Sequence, residues 1–247
     1  GKMFRNEGMD RTHNPEFTSL EFYVAYKDYN WMMSLTELIF ETVASRLHGK
    51  TKITVGENEI EFAGPYPRLT ISGAILQYSG VDVDALSEDE LRAKCVEFGM
   101  EVDKGMGKGK LIDELFGEKV EANLIQPTFI TDYPVEMSPL TKKHRSKEGL
   151  VERFELFVNG KEIANAYSEL NDPIDQRERF EDQVRLSEKG DDEANGLIDQ
   201  DFLRALEYGM PPTSGLGIGM DRLIMYLTNN PSIQEVLFFP QMRPETQ

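Results

Sequence analysis

Cysteine and positive charge are both scarce in this sequence of 247 residues. Cys95 is the only cysteine, so no disulfide can form within the chain. Lysine and arginine number 27 against 44 aspartates and glutamates, which gives a net charge of −17. Nucleic-acid binding rests largely on the neutralisation of phosphates by positive charge, so a chain this acidic cannot bind nucleic acid over its surface as a whole. Any contact of that kind must be local.

Long apolar runs and an N-terminal secretion signal are also missing. Without an apolar run of about 20 residues a chain has no segment that could span a bilayer as a helix, so we expect no membrane contact. Together with the single cysteine, this favours a cytoplasmic protein. The hydrophobic content of 39% is enough for one sizeable core, and we therefore expect one domain with an insertion.

The spacing of apolar residues predicts the main elements. "NWMMSLTELIFETVASRLHG" has helical periodicity and stops at Gly49, while "KITVGENEIEF" is typical of a hairpin around Glu57 and Asn58. Further helices are expected over Pro173 to Lys189 and Asp201 to Tyr208, and "PTFITDYP" predicts a strand. The residues expected on the core side of the first helix are Trp31, Leu35, Leu38, Ile39 and Leu47.

Residues 69–124 differ from the segments around them because they contain three short helical patterns of apolar residues. One of them opens with the capping box "SEDE" at Ser87 to Glu90. We interpret this stretch as a small helical insertion.

The segment "EFTSLEFYVAY" predicts a strand with two different faces. Because side chains alternate along a strand, Phe17, Glu21 and Tyr23 share one face, and Leu20, Phe22 and Val24 share the other. The simplest interpretation is a sheet with one face on the core and one face in water. Arg5 and Glu7 also share parity on the preceding strand, which favours a binding face instead.

The preceding loop "GMDRTHNP" carries Arg11 and His13 and is expected to cover that polar face. Nothing near His13 in the sequence resembles an arrangement of an orienting partner with a nucleophile. We therefore assign it no acid–base role.

Asn159-Gly160 predicts a tight type I′ hairpin turn within "ERFELFVNGKEIANAYSEL". In a regular ladder Glu155 would then lie opposite Ala164 and diagonal to Glu162, roughly 7–8 Å away at the backbone. Two carboxylates so placed suit a hard divalent cation, although two solvated glutamates are an equally good interpretation. If Asn165, Tyr167 and Glu169 face the same site, a bulge or sharp twist must lie between Glu162 and Asn165.

"GLGIGMDR" places glycines at every second position of an extended segment, so one face of that strand would be bare backbone. The spacing does not fit the dinucleotide-binding pattern G-x-G-x-x-G. A flat ligand could lie on such a surface. Arg222, at the start of the next helix, would reach toward a phosphate or an aromatic ring.

These segments together resemble a known family. "FRNEGMDRTHNPEFTSLEFY" resembles motif 2 of the class II aminoacyl-tRNA synthetases of the lysyl type, and "GLGIGMDRLIM" resembles motif 3. "LIQPTFITDYPVEMSPL" and "NAYSELNDPIDQRERF" lie between them in the family's order, so the resemblance covers nearly the whole chain. It implies an α+β fold with a mixed, mainly antiparallel sheet flanked by helices.

The resemblance also implies an ATP-dependent activation of lysine followed by transfer to tRNA(Lys), in the cytoplasm. Arg5 would bridge the lysine carboxylate and the α-phosphate of ATP. The remaining ATP contacts would be Glu7, His13, Phe17 and Arg222, the last two on either side of the adenine, with Glu155 and Glu162 holding Mg²⁺ on the phosphates. The lysine contacts would be Arg5, Glu21, Tyr23, Asn165, Tyr167 and Glu169.

Two alternatives stay open at this point. A synthetase paralogue that lysylates a protein such as a translation factor would share many of these residues, as would a non-catalytic synthetase-like binding domain. Retention of Arg5, Glu155, Glu162 and Arg222 argues against the second, and an acidic pocket argues against aspartyl or asparaginyl substrates. Residues 1–247 resemble a catalytic domain that lacks its N-terminal part with motif 1, so we expect the homodimer contacts to be incomplete and the isolated chain to be nearly inactive.

Overall fold

A seven-stranded sheet forms the centre of the fold in a computed structural model that describes residues 1–6, 8–103, 105–188 and 196–241. The strands in chain order are β1 (Lys2–Phe4), β2 (Glu16–Ala25), β3 (Lys52–Val55), β4 (Asn58–Glu61), β5 (Arg68–Thr70), β6 (Thr128–Thr131), β7 (Arg153–Val158), β8 (Lys161–Ser168) and β9 (Thr213–Gly219). The main sheet has the order β1-β2-β9-β8-β7-β6-β5, and β3 and β4 form a separate hairpin. Among the strands of the described residues only β5 and β6 pair in parallel, which confirms the predicted mixed, mainly antiparallel sheet.

Seven α-helices of the described residues flank this sheet. They are α1 (Tyr29–His48), α2 (Ile71–Ser79), α3 (Glu88–Glu97), α4 (Lys108–Lys119), α5 (Pro173–Glu188), α6 (Gln200–Glu207) and α7 (Met220–Thr228). Lys189, the predicted last residue of α5, lies outside the described residues. Within the described part of the chain, none of these helices has the length and apolarity needed to cross a bilayer.

Helix α1 packs against one face of the main sheet. The side chain of Asp28 accepts a hydrogen bond from the backbone N–H of Trp31 at its start, and Gly49 ends it in the left-handed conformation, as the sequence predicted. The buried stripe is Met32, Thr36, Phe40 and Ala44, whereas Trp31, Leu35 and Ile39 pack at its margin. The prediction that Leu38 and Leu47 face the core was wrong, because they lie 60% and 65% exposed on the outer side of the helix.

Helices α2, α3 and α4 enclose a second apolar cluster with β6 and β7. The capping box at Ser87 and Glu90 is present, with each side chain bonded to the other's backbone N–H. Leu69 and Thr70 belong to β5 in the main sheet, so the helical segment begins at Ile71. That these helices form an insertion in the family's catalytic fold stays a prediction.

The hairpin of β7 and β8 turns at Asn159 and Gly160, whose φ angles of 51° and 74° confirm the type I′ prediction. Phe157 pairs with Glu162, but Leu156 then pairs with Ala164, so Ile163 is an extra residue on β8. This bulge was predicted. It contradicts the expected pairing of Glu155 with Ala164, because Glu155 lies opposite Asn165 instead. Ile163 points into the main core, where its side chain is 2% exposed.

Two smaller expectations need correction. The hairpin between β3 and β4 turns at Gly56 and Glu57, since Asn58 already pairs with Val55. On β2, Phe22 and Val24 pack against the core as predicted, but Leu20 on the same face is 41% exposed. Alternation therefore identified the face, whereas its burial depends on which helix covers each residue.

Candidate active site

A cavity of about 570 Å³ lies over the face of the sheet opposite the main core, across β2, β9, β8 and β7. Its floor is the glycine-rich strand β9, where Gly215, Gly217 and Gly219 lack side chains on this face. The predicted site residues that line it are Arg5, His13, Phe17, Glu21, Tyr23, Glu155, Glu162, Asn165, Tyr167 and Arg222. Glu7 lies outside the described residues, so its predicted role has no structural counterpart here.

Glu169 directly follows β8 and packs against Gly215, which lines the cavity together with Tyr23. A side chain at position 215 would overlap its Oε1 atom, which shows how closely the carboxyl group packs on the bare backbone. Burial raises the pKa of Glu169 to about 8, and burial with the charges of Glu169 and Glu21 raises the pKa of Tyr23. This end of the cavity therefore disfavours negative charge and would be stabilised by a bound cation.

Two further carboxyl groups lie at the opposite end of the cavity. Burial and the nearby charge of Glu155 raise the pKa of Glu162 to about 8, although three arginines act in the opposite direction. Glu155 is held by the Tyr133 hydroxyl, which donates to its Oε2 atom at 2.8 Å. Glu162 pairs with Phe157 and therefore lies diagonal to Glu155 on one face, and the bulge at Ile163 adds Asn165 to that face.

The chemistry of this pair fits a magnesium ion. Carboxylate oxygens are hard ligands, and Mg²⁺ is commonly held by one or two of them while water and phosphate complete its octahedron. No cluster of three or more histidine, cysteine, aspartate or glutamate side chains with metal-binding geometry occurs in the described ranges. Glu155 and Glu162 could therefore supply part of a coordination shell that a phosphate ligand completes.

Three arginines surround the carboxyl pair. The charges of Arg222, Arg153 and Arg5 all favour ionisation of Glu162. Arg222 donates to the carbonyl oxygen of Glu162 at 2.6 Å. Arg5 follows β1 rather than lying on it, since the strand ends at Phe4, and its guanidinium stacks on Phe17 with its central carbon 5.3 Å from the ring centroid.

His13 has the orienting partner that the sequence did not reveal. Its Nδ1 atom lies 2.8 Å from Oδ2 of Asp10, so the orienting half of the arrangement that the sequence did not indicate is present. Although partial burial opposes it, hydrogen bonds from Thr12 and His13 lower the pKa of Asp10. The loop is thus tied together by its own aspartate, a turn chemistry that the short stretch D-x-x-H could have suggested.

Two more residues of the cavity escaped the sequence reasoning. Arg153 precedes Glu155 by two positions on β7 and so shares its face. The alternation of side chains along the predicted hairpin already indicated this placement. Asp221 is buried at the start of α7 and accepts a hydrogen bond from the backbone N–H of Thr18 at 2.6 Å. That hydrogen bond connects α7 to β2, and no pattern in the sequence predicts it.

An antiparallel sheet that carries stacked arginines, paired carboxyl groups and a glycine floor in one cavity is what the class II synthetase resemblance implies. The family model of the class II tRNA synthetases (D, K and N) matches residues 1–243. The chain belongs to this family.

Curated relatives narrow the comparison. The chain is 68% identical over 244 residues to a lysine–tRNA ligase of Christiangramia forsetii, which covers 99% of this chain and 43% of that protein. It is 67% identical to the lysine–tRNA ligase of Porphyromonas gingivalis over 98% of the chain and 42% of the relative. The chain is 62% identical to the lysine–tRNA ligase of Azobacteroides pseudotrichonymphae, over 98% of the chain and 48% of the relative. The chain therefore spans less than half the length of these curated relatives.

Proposed function

We propose that this chain is the part of a lysine–tRNA ligase that activates lysine with ATP to form lysyl-adenylate. The observation that carries the proposal is one cavity with an acidic end and an arginine-rich end that contains two carboxyl groups. The relatives at 62–68% identity carry the name lysine–tRNA ligase, which gives the protein-lysylating and non-catalytic alternatives no support.

The acidic end would bind the lysine side chain. Glu21, Tyr23 and Glu169 would meet the ammonium group, and the ion pair would restore the charge that burial suppresses on Glu169. Asn165 and Tyr167 lie next along β8, where Asn165 would contact the α-carboxylate and Tyr167 would form the wall.

The other end would bind ATP. The adenine would lie between Phe17 and Arg222 above the glycine floor, and His13 would contact the nucleotide. Mg²⁺ held by Glu155 and Glu162 would supply positive charge to the phosphates. Arg5 would contact both the lysine carboxylate and the α-phosphate.

In this reaction a carboxylate oxygen of lysine attacks the α-phosphorus while the bond from that phosphorus to the pyrophosphate oxygen breaks. No protein nucleophile is needed, because the attacking oxygen belongs to the substrate. Arg5 and Arg222 would act by bringing two anions together and by stabilising charge as it builds on the phosphate. Transfer to tRNA(Lys) would follow on the adenylate, and homodimer formation, which the resemblance implies, stays a prediction.

The test is lysine-dependent exchange between ATP and pyrophosphate by the gene product that contains this chain. Exchange should require lysine and should not respond to aspartate or asparagine. Arg5→Gln should abolish it, whereas Arg204→Gln, which alters an exposed arginine on α6, should not. Exchange that responds to a different amino acid, or no exchange with any, would overturn the proposal.

A further inference from the structure

Arg153 has a largely buried guanidinium group whose N–H groups contact four different residues. Its Nε atom donates to Oδ1 of Asn165 at 3.3 Å, and Nη1 donates to Oγ of Ser138 at 2.8 Å and to the carbonyl oxygen of Met137 at 3.1 Å. Nη2 forms an ion pair with Oε1 of Glu155. The side chain is only 16% exposed, so these contacts replace most of its hydration.

The contact with Asn165 determines which way the amide faces. An amide has its oxygen and its nitrogen on opposite edges, and here the oxygen is taken by Arg153. The Nδ2 group then points away from the arginine, and Asn165 lines the cavity. Asn165 therefore presents a donor, as recognition of a carboxylate requires.

The contact with Glu155 fixes a second residue of the cavity. One carboxylate oxygen meets Arg153 and the other accepts from Tyr133, whose ring also lies beneath the guanidinium at 4.6 Å from ring centroid to central carbon. With both oxygens engaged, the plane of the carboxylate cannot rotate freely. Arg153 and Tyr133 therefore determine the directions in which the remaining lone pairs of the Glu155 oxygens point.

We propose that Arg153 is a positioning residue that orients Asn165 and Glu155 together, so that the amino-acid end and the nucleotide end of the cavity are aligned by one side chain. This inference rests on the proposed function for the identity of the ligands. The contact geometry that supports it does not depend on that assignment.

Arginine suits this position better than lysine. The guanidinium is planar and directs donors along three edges, which allows simultaneous contacts to Asn165, Glu155 and the turn at Met137 and Ser138. A lysine ammonium is a single point of charge and could satisfy the ion pair with Glu155 without reaching the other partners. Replacing Arg153 with lysine therefore keeps the positive charge but not the orientation of the donors, whereas replacing it with methionine removes both.

The test compares Arg153→Met and Arg153→Lys in the full gene product. Both should raise the KM for lysine by on the order of tenfold, since a hydrogen bond to a charged group would be lost or misdirected. Mn²⁺ binding, followed by electron paramagnetic resonance without substrates, should weaken in Arg153→Met and recover in Arg153→Lys. Arg145→Met, which removes a different ion-paired arginine outside the cavity, serves as the control for general destabilisation and should leave the KM for lysine unchanged.

A double-mutant cycle with Asn165→Ala gives the decisive comparison. If Arg153 acts through Asn165, the double variant Arg153→Met/Asn165→Ala should have a KM for lysine close to that of the worse single variant. Effects that multiply, together with Mn²⁺ affinity equal to that of the unsubstituted protein, would overturn the proposal. Should Arg153→Met fail to fold, Arg153→Lys carries the same cycle.

The experiments also distinguish a failure of the proposed function from a failure of the proposed role of Arg153. Absence of lysine-dependent exchange in the unsubstituted protein would remove the assignment of lysine as substrate. The Mn²⁺ comparison would still report whether Arg153 positions Glu155.

Discussion

The Nε2 atom of His13 lies 3.0 Å from an amino nitrogen of Arg222, although the two residues are 209 positions apart in the chain. Arginine can only donate, so Nε2 must be the acceptor and Nδ1 must carry the hydrogen toward Asp10. Asp10, His13 and Arg222 therefore form a line of hydrogen bonds that orients the guanidinium over the end of the cavity that we propose binds the nucleotide.

We predict that Asp10→Ala raises the KM for ATP several-fold and leaves the KM for lysine unchanged. The substitution removes the acceptor of His13 and of two backbone N–H groups in the loop, so His13 is no longer held in the position and tautomer in which it accepts from Arg222. Pyrophosphate exchange at varied ATP measures the effect. Glu16→Ala, which removes an exposed carboxylate paired with Lys2, is the matched control. Equal KM values for ATP in the two variants would contradict the orienting role.

A second prediction concerns the glycine floor. In Gly215→Ala the new methyl group would overlap Oε1 of Glu169 and lie 2.7 Å from Cε1 of Tyr23, so both side chains must move. We expect the KM for lysine to rise by at least about tenfold, because sub-ångström placement matters in such sites. Gly217→Ala is the comparison, since its nearest neighbour would be 3.8 Å away. A smaller loss of lysine binding in Gly215→Ala than in Gly217→Ala would refute this account.

The raised pKa of Glu169 predicts pH-dependent lysine binding. With a pKa of about 8, this carboxyl is mostly protonated at pH 7 in the unliganded protein, and an ammonium ligand favours its ionised form. Binding should therefore release a proton, and lysine affinity should increase as pH rises from 6 toward 8. Calorimetry in buffers of different ionisation enthalpy measures the proton release, which should disappear in Glu169→Gln. Affinity that falls over this pH range would be inconsistent with the assignment.

The same group affects stability with a defined sign. The folded chain keeps a proton on Glu169 up to about pH 8, whereas the unfolded chain releases it near the ordinary glutamate pKa of 4.5. Its contribution to folding is therefore fully present below about pH 4.5 and is lost as pH rises through 8. Glu169→Gln should remove this dependence, so the difference in Tm between variant and unsubstituted protein should grow with pH in thermal unfolding experiments.

A fifth prediction tests the ion pair between the buried carboxylate of Glu152 and the half-exposed guanidinium of Arg145. Glu152 is 2% exposed, and although burial opposes its ionisation, hydrogen bonds from Arg145 and Ser168 lower its pKa. Arg145→Met would leave that charge with Ser168 alone and should reduce the free energy of unfolding by about 3 kcal/mol. Arg204→Met breaks an exposed pair with Asp201 and should cost less than about 1 kcal/mol. Urea denaturation of both variants makes the comparison, and similar losses would show that burial of Glu152 does not matter.

Much of the site could be predicted from local patterns. The alternation along β2 correctly grouped Phe17, Glu21 and Tyr23, and the Asn159-Gly160 pair correctly identified the turn. The spaced glycines of β9 likewise indicated a bare floor. Each of these depends on backbone geometry over two to seven consecutive residues, which the sequence itself determines. The residue roles came from the family resemblance and stay predictions.

Other features were decided only by tertiary structure. Glu155 lies opposite Asn165 because Ile163 turns into the core and shifts the pairing by one residue, a choice made by the packing beneath the sheet. The contacts of Arg153 and the meeting of His13 with Arg222 join segments that are distant in the chain. Local periodicity specifies which face a side chain occupies. Only the pairing of strands and the packing of helices decide which partner it meets there.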